Sequence, residues 1–399
     1  MSIAVSAPSA DERTTSPLDR PDPMKIFVTG TRGIPDIPGG VEKHCQELYP
    51  LIAAMGHEVY LATRRPYVAE PRNEWRGVRL IHTYCPRCKS LEAIVHTFVA
   101  VLKARWICAD IVHVHAVGPG LMVPLARLLG LRVVVTNHGP DYDRQKWGLA
   151  AKSMLRLGEY LGGKFAHEVI VISKVIGDIV AMRCGRFSHL IHNGVHLPET
   201  STSTHRLECF GIDAASGYIL AVARFVPEKG LHDLIEAFAQ LPGDMQLVIA
   251  GDADHPSDYS NSLKKRAQRD KRIVLTGYIT GDPLHQLYSH ANLFVLPSYH
   301  EGLPIALLEA MSYGLPVLVS DIPANREVGL ASNRYFPPGN IEALREKLLK
   351  FGNRGISSDE QEQYRNKIIG EYNWSVIARQ ILAVYKKALG ISLNSNREI

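Results

Sequence analysis

The segment that most limits what this chain can fold into is Leu296-Pro-Ser-Tyr-His-Glu-Gly-Leu-Pro-Ile-Ala-Leu-Leu-Glu-Ala-Met-Ser-Tyr-Gly-Leu-Pro-Val-Leu-Val-Ser320. It reads as strand, loop, helix and strand in quick succession. Asn292 to Leu296 is short and apolar, as a buried parallel strand is. Ser298 to Gly302 is a polar loop. Pro304 falls where a first helical residue belongs, and Gly314 where a helix-ending glycine belongs. Val317 to Val319 begins the next strand. The helix between them is apolar nearly all round, which predicts that it is buried. Yet it carries Glu309 in its middle, and Glu301 stands just before it. A carboxylate among Leu307, Leu308, Ala310 and Met311 costs about 2–7 kcal/mol unless something hydrogen-bonds it. The helix start at Leu303–Ile305 adds free N–H groups and the positive end of a dipole, which suit a phosphate. One element thus offers an anion site and two hydroxyl acceptors, a combination suited to a sugar attached to a phosphate. An ion pair with a neighbouring Arg or Lys is the other way to satisfy Glu309, and the segment alone does not choose between the two.

The rest of the chain supplies the context. Its 399 residues suggest two or three domains, and 46% hydrophobic with 21% charged residues is ordinary globular composition. A net charge of +5 fits an anionic substrate or a weak contact with an anionic membrane, and calls for no nucleic acid. No apolar run reaches the roughly 18 residues of a spanning helix. Residues 1–23 are rich in Ser, Thr, Pro, Asp and Arg and lack the apolar core of a signal peptide, so a disordered tail is expected. Six cysteines are scattered, and the one close pair, Cys85-Pro-Arg-Cys88, has no second ligand pair and reads as reduced thiols.

Lys25 to Thr29 is a first strand. It runs into Gly30-Thr-Arg-Gly-Ile-Pro-Asp-Ile-Pro-Gly-Gly-Val-Glu-Lys-His44, a glycine-rich loop entering a helix. Gly39 and Gly40 let backbone approach a ligand there, but the spacing is not the dinucleotide fingerprint. Further strands are expected at His57–Ala62, Val78–Thr83, Asp110–His115 and Leu131–Thr136, with a helix at Leu91–Ile107. His113 alternates with valines and reads as a satisfied core histidine. His138 follows the strand ending at Thr136, where open α/β sheets bind ligands. Trp147 to Phe165 is a helix with Lys152, Arg156 and Lys164 among apolar residues, a pattern shared by solvated faces and lipid-surface helices. Short strands at Val169–Ile172 and Leu190–Ile191 follow, the second leading into Asn193-Gly194-Val195.

Leu197 to His205 is a Pro/Ser/Thr linker, and a second α/β unit begins after it. The strand Tyr218–Val222 delivers Arg224 and Lys229 into a turn closed by Gly230. A fork and a point charge together favour phosphate oxygens. Strands at Met245–Ala250 and Ile273–Leu275, a helix at Asp282–Ser289, the opening segment and helices at Ile341–Phe351 and Asn373–Ala388 complete the pattern. The fold class is therefore α/β, two doubly wound units whose ligand faces meet across a cleft.

These residues resemble the retaining glycosyltransferases of the GT-B fold, family 4 (group 1) type, from Met24 to about Leu389. The most specific match is Glu301 and Glu309, with seven residues between them, inside Glu-Gly-Leu-Pro-Ile-Ala-Leu-Leu-Glu. Arg224…Lys229-Gly230 and Asn193-Gly194-Val195 also match, and the Gly30–Glu42 stretch resembles a subgroup of polysaccharide and rhamnosyl-type transferases. The resemblance implies two Rossmann-like domains. These are an acceptor domain over 24–197 and a nucleotide-sugar donor domain over 198–372, with 373–399 crossing back to the first.

It also implies roles. Arg224 and Lys229 hold the donor diphosphate, Glu309 takes the ribose hydroxyls, and Glu301 takes the sugar hydroxyls. The Gly302, Leu303 and Pro304 backbone faces sugar or phosphate, His138 sits beside the donor sugar, Asn193 belongs to the donor site, and Gly39 and Gly40 line the cleft. Positive side chains and a helix dipole are placed to stabilise the leaving group, so a metal-free site without cofactor is expected. The implied reaction moves a hexosyl or deoxyhexosyl group from a nucleotide-diphosphate sugar to a saccharide or lipid-linked saccharide, front-side and with retention. Exopolysaccharide or lipopolysaccharide synthesis in the cytoplasm, at the inner face of the cell membrane, is the expected setting. A nucleotide-sugar 2-epimerase of the same fold and a non-catalytic nucleotide-sugar binding protein are the competing readings.

Overall fold

The computed structural model of the protein describes residues 23–37, 39–68, 72–86, 92–139, 148–214, 216–253, 255–352 and 354–391. The expected tail over 1–23 lies outside them apart from Pro23, as do Cys88, Pro140, Asp141 and Trp147.

The first run of elements is β1 (Lys25–Thr29), α1 (Gly40–Ala54), β2 (Glu58–Arg64), β3 (Glu74–Trp75), β4 (Val78–Thr83), α2 (Glu92–Trp106), β5 (Ile111–His115), α3 (Val123–Leu128), β6 (Arg132–Asn137), α4 (Leu149–Phe165), β7 (Glu168–Val171), α5 (Lys174–Cys184) and β8 (His189–Leu190). They form one sheet in the order β3-β4-β2-β1-β5-β6-β7-β8. Only the short β3 pairs antiparallel. The second run is α6 (His205–Glu208), β9 (Tyr218–Val222), α7 (Leu231–Ala239), β10 (Gln246–Ala250), α8 (Asp258–Ala267), β11 (Ile273–Gly277), α9 (Asp282–His290), β12 (Leu293–Leu296), α10 (Ile305–Ser312), β13 (Val317–Ser320), α11 (Pro323–Glu327), β14 (Tyr335–Phe336), α12 (Ile341–Phe351), α13 (Ser358–Glu371) and α14 (Trp374–Ala388). Its strands form a parallel sheet, β11-β10-β9-β12-β13-β14.

Both sheets are doubly wound, and their strand order reverses once. In the first the reversal lies between β1 and β5, in the second between β9 and β12. A crevice opens beyond the strand ends at such a point. The turn after β9 and the loop after β12 are therefore neighbours, though about 70 residues of chain separate them. The central strands are apolar on both faces because helices cover both. Ile26, Phe27 and Val28 of β1 and Leu293, Phe294 and Val295 of β12 are all fully buried.

The chain crosses between the sheets twice. The first crossing follows β8. The second brings α14 back onto α1, where Trp374, Ile377, Ile381 and Tyr385 are buried with Leu48, Ile52 and Val59. The crossings run side by side. Val195 N–H donates to the Tyr372 carbonyl at 2.8 Å, and Val195 pairs with Asn373 as a parallel bridge. Gly194 is packed so closely that a Cβ there would lie 2.4 Å from the Trp374 ring.

Candidate functional site

The lip of the second sheet is built from two local runs. After β9 the chain passes half-buried Arg224 and makes one tight turn over Pro227–Lys229. Gly230 closes it in the left-handed region, φ 61°, with the Pro297 carbonyl only 2.1 Å from where a Cβ would stand. The turn is tied to the loop after β12 by Tyr299 N–H donating to the Glu228 carbonyl at 2.9 Å. This brings Lys229 Nζ to 2.5 Å from Glu301 Oε1, which also accepts from Ser298 Oγ at 2.7 Å. The Lys229 and Glu301 side chains are only 18% and 8% exposed, so the pair attracts more strongly than a surface pair does. Helix α10 starts at Ile305, one residue later than its sequence suggests. Pro304 is its N-cap: the ring's φ of −79° suits a helix, but ψ is 103°, so its backbone is extended. Leu303 and Pro304 are buried.

Glu309 is not sealed inside an apolar helix as expected. Helix α10 buries Leu307, Leu308, Ala310 and Met311 and leaves Glu309 half-buried. Tyr288 Oη donates to Glu309 Oε2 at 3.1 Å. Burial pushes its carboxyl above the usual range, and the field of Lys43 and the Tyr288 hydrogen bond pull it back. Lys43 lies on α1 of the first sheet, so the two halves already interact electrostatically here. Burial lowers the Lys43 ammonium, but bonding to Glu47 and the field of Glu309 outweigh it and leave the net shift upward. Glu47 accepts from Lys43 at 2.8 Å and from His196 at 2.7 Å, and these bonds outweigh burial and hold its carboxyl down at about 2.

The lip of the first sheet is made of histidines. His138 follows β6, His115 ends β5, and His44 lies on α1. His115 Nδ1 and His138 Nε2 are 2.9 Å apart. The His44 ring stands edge-on to His138 with centroids 5.1 Å apart. Burial pushes His44 down to about 4, and burial with the neighbouring rings pushes His115 and His138 well below the usual histidine range. All three are neutral at pH 7. Behind them His113 bonds Thr136 Oγ1 at 2.7 Å, Tyr49 Oη at 2.8 Å and Tyr385 Oη at 2.6 Å, a satisfied core histidine as its pattern predicts.

The remaining predicted residues divide. Gly302 meets the first sheet directly: a Cβ on it would lie 2.9 Å from the His138 carbonyl. Lys229 and Glu301 are thus linked to the His138 backbone through Gly302, the residue next to Glu301. Asn193 does not join the donor side. It is buried and its Oδ1 accepts from His44 Nδ1 at 2.9 Å, because the chain after β8 turns under α1. Gly39 precedes α1, but the space of its missing side chain is filled by Glu42 Oε2, which would be 2.0 Å from a Cβ. Glu42 is itself held by Arg32 at 3.2 Å and by the Arg32 backbone N–H at 3.0 Å, so the α1 start carries its own carboxylate. Gly40 has open space in front of it. Sequence reasoning passed over Lys43, His44, His115 and Tyr288. Only the alternation in β5 marked His115, and it pointed to core. Cys85 is buried and reduced.

Two family models match the chain, "Glycosyltransferase Family 4" over residues 38–198 and "Glycosyl transferases group 1" over 209–369. An uncharacterized glycosyltransferase of Methanocaldococcus jannaschii is 26% identical over 92% of this chain and 99% of its own length. The UDP-Gal:α-D-GlcNAc-diphosphoundecaprenol α-1,3-galactosyltransferase of Escherichia coli is 26% identical over 71% of this chain and 76% of its own. Among solved structures, Anabaena HepE in complex with UDP-glucose superposes with a TM-score of 0.73 at 19% identity, covering 91% of this chain and 99% of that one. No helix among the described residues is long and apolar enough to cross a membrane. Two doubly wound sheets facing across a cleft, with both family models matched in order, place the chain among the GT-B glycosyltransferases of family 4, group 1 type.

Proposed function

We propose that this glycosyltransferase moves a hexosyl or deoxyhexosyl group from a nucleotide-diphosphate sugar to a saccharide or lipid-linked saccharide acceptor, with retention of anomeric configuration. The observation that carries the reading is the Lys229–Glu301 pair at the strand reversal, one residue from the point where Gly302 meets His138. The pair is poised to exchange partners. A donor diphosphate takes Lys229 and Arg224, and Glu301 is released to accept from sugar hydroxyls. The N-terminus of α10 adds its dipole to the same phosphates. Glu309 accepts from the ribose hydroxyls as an anion, and Lys43 favours that form. Positive side chains and a helix start stabilise the departing nucleotide, so the reading is metal-free. The leaving phosphate takes the acceptor's proton on the face it departs from.

The acceptor side is lipid-linked in this reading, in exopolysaccharide or lipopolysaccharide-type synthesis at the inner face of the membrane. Helix α4 supports it: Leu149, Leu157, Tyr160 and Phe165 are exposed, with Arg156 and Lys164 exposed on the same helix. The name of the E. coli relative specifies such an acceptor, and HepE was solved with UDP-glucose, a donor of the proposed class. The test is calorimetric titration of UDP, GDP and dTDP in EDTA, with Lys229→Ala and Glu309→Ala alongside. One nucleotide is expected to bind without metal, and both variants to weaken it. No binding, or no loss in the variants, removes the donor site. A product of inverted configuration removes the retaining mechanism alone.

A further inference from the structure

We propose that His44, His115 and His138 form a binding site for a divalent cation of the zinc type. Their side chains come from α1, the end of β5 and the residue just after β6, with no spacing motif in the sequence. One ring nitrogen from each lies within 4.8 Å of the other two. A tetrahedral zinc with nitrogens at about 2.0–2.1 Å needs them roughly 3.4 Å apart, so a small rotation closes the set.

The independent observation is His44 Nε2. The residue is 2% exposed, and this nitrogen has no hydrogen-bond partner among the described residues. Asn193 Oδ1 can only accept, so the His44 proton stands on Nδ1 and Nε2 carries a bare lone pair. A buried imidazole nitrogen is rarely orphaned, and a cation satisfies it. The other two ligands meet each other. His115 Nδ1 and His138 Nε2 share one proton across 2.9 Å. When each ring instead carries its single proton on its far nitrogen, His115 Nε2 donates to Tyr49 Oη, 2.6 Å away, and both near nitrogens turn lone pairs to the cation. Asn193 and Tyr49 thus serve as the outer partners that metal-binding histidines use to fix their tautomers. Neutral imidazole suits zinc and its neighbours in the first transition row better than magnesium or calcium. Three protein ligands leave one coordination position open. The site is separate from the donor diphosphate, which the Arg224–Gly230 turn serves, and does not depend on the donor reading.

The test uses the untagged full chain, freed of metal with a chelator and titrated with Co2+ while visible absorption is recorded. One equivalent is expected to give the intense bands of a low-coordinate cobalt site, and Zn2+ to bleach them. His44→Gln should abolish the bands, and Asn193→Ala should weaken cobalt binding about 10–100-fold. Circular dichroism checks both folds, and if His44→Gln fails to fold, Asn193→Ala decides. Absence of bands at millimolar cobalt overturns the proposal, as do bands unchanged in the variants. UDP titrated on the same samples separates the two readings: UDP binding without a cobalt site overturns the cation site alone.

Discussion

The two lips of the cleft solve the same placement problem with opposite chemistry. Each stands at the strand reversal of a doubly wound sheet. The second-sheet lip is charged, with Arg224, Lys229, Glu301 and Glu309 arranged so that Lys229 and Glu301 compensate each other. The first-sheet lip is neutral, with His44, His115 and His138 held uncharged by burial. A charged lip recognises a charged group and changes partners when it arrives. A neutral lip of lone pairs and N–H groups discriminates by geometry, and in the protein alone it leaves the His44 Nε2 lone pair without a hydrogen-bond partner among the described residues. In the proposed function the charged lip takes the donor phosphates and the neutral lip orients the sugar.

The largest effect that bears on this division is that of Lys229→Ala. Nucleoside diphosphate affinity should fall about 100-fold, the scale for removing a preorganised cation, while His138→Ala should change it far less. Calorimetry on both variants checks this. Equal losses would erase the distinction between the lips. A smaller effect is structural. Gly194→Ala pushes a methyl group into the Trp374 ring and should cost about 1–3 kcal/mol, read as a lower thermal midpoint. If unfolding of the first sheet alone shifts, the second lip keeps its nucleotide affinity at temperatures where the first has loosened. The smallest concerns the Lys43–Glu47–His196 bridge beneath the first lip. Its carboxyl is depressed in the fold, so its stabilisation is complete above the unfolded value near 4.5 and is lost as pH falls from there toward 2. Glu47→Gln should remove about 1 kcal/mol at neutral pH and flatten the acid limb of a denaturation series. An unchanged acid limb would mean that the bridge contributes nothing.

The same contrast governs what can be read without coordinates. The charged lip is local in sequence. Arg224 to Gly230 and Ser298 to Glu309 each follow an apolar strand directly, so residue type, strand end and glycine all coincide within a few positions. The neutral lip is assembled from three separate parts of the chain, its first two histidines 71 positions apart and its last two 23. Nothing local distinguishes His115 from His113, and both are buried. Asn193 shows the limit of a matched motif, since its position was legible but its partner was His44. Among secondary elements, the long apolar strands were plain. Helices α8 and α13 carry little apolar periodicity, because they are polar around most of their surface and bury few residues, Ser260, Leu263 and Ala267 in one and Tyr364 and Ile368 in the other. Their start signals are the serine caps Ser257 and Ser357, which are common in loops as well.

The return of α14 to α1 bears on how the protein is made. Synthesis proceeds from the N-terminus, so β1 to β8 leave the ribosome long before Trp374 exists. Until it does, Leu48, Ile52 and Val59 lack the helix that covers them. The second sheet is continuous in the chain and can close as it emerges, whereas the first to be synthesised is the last to be finished. A nascent chain stalled before residue 374 therefore presents an apolar flank on α1, and any fragment cut in the linker inherits it.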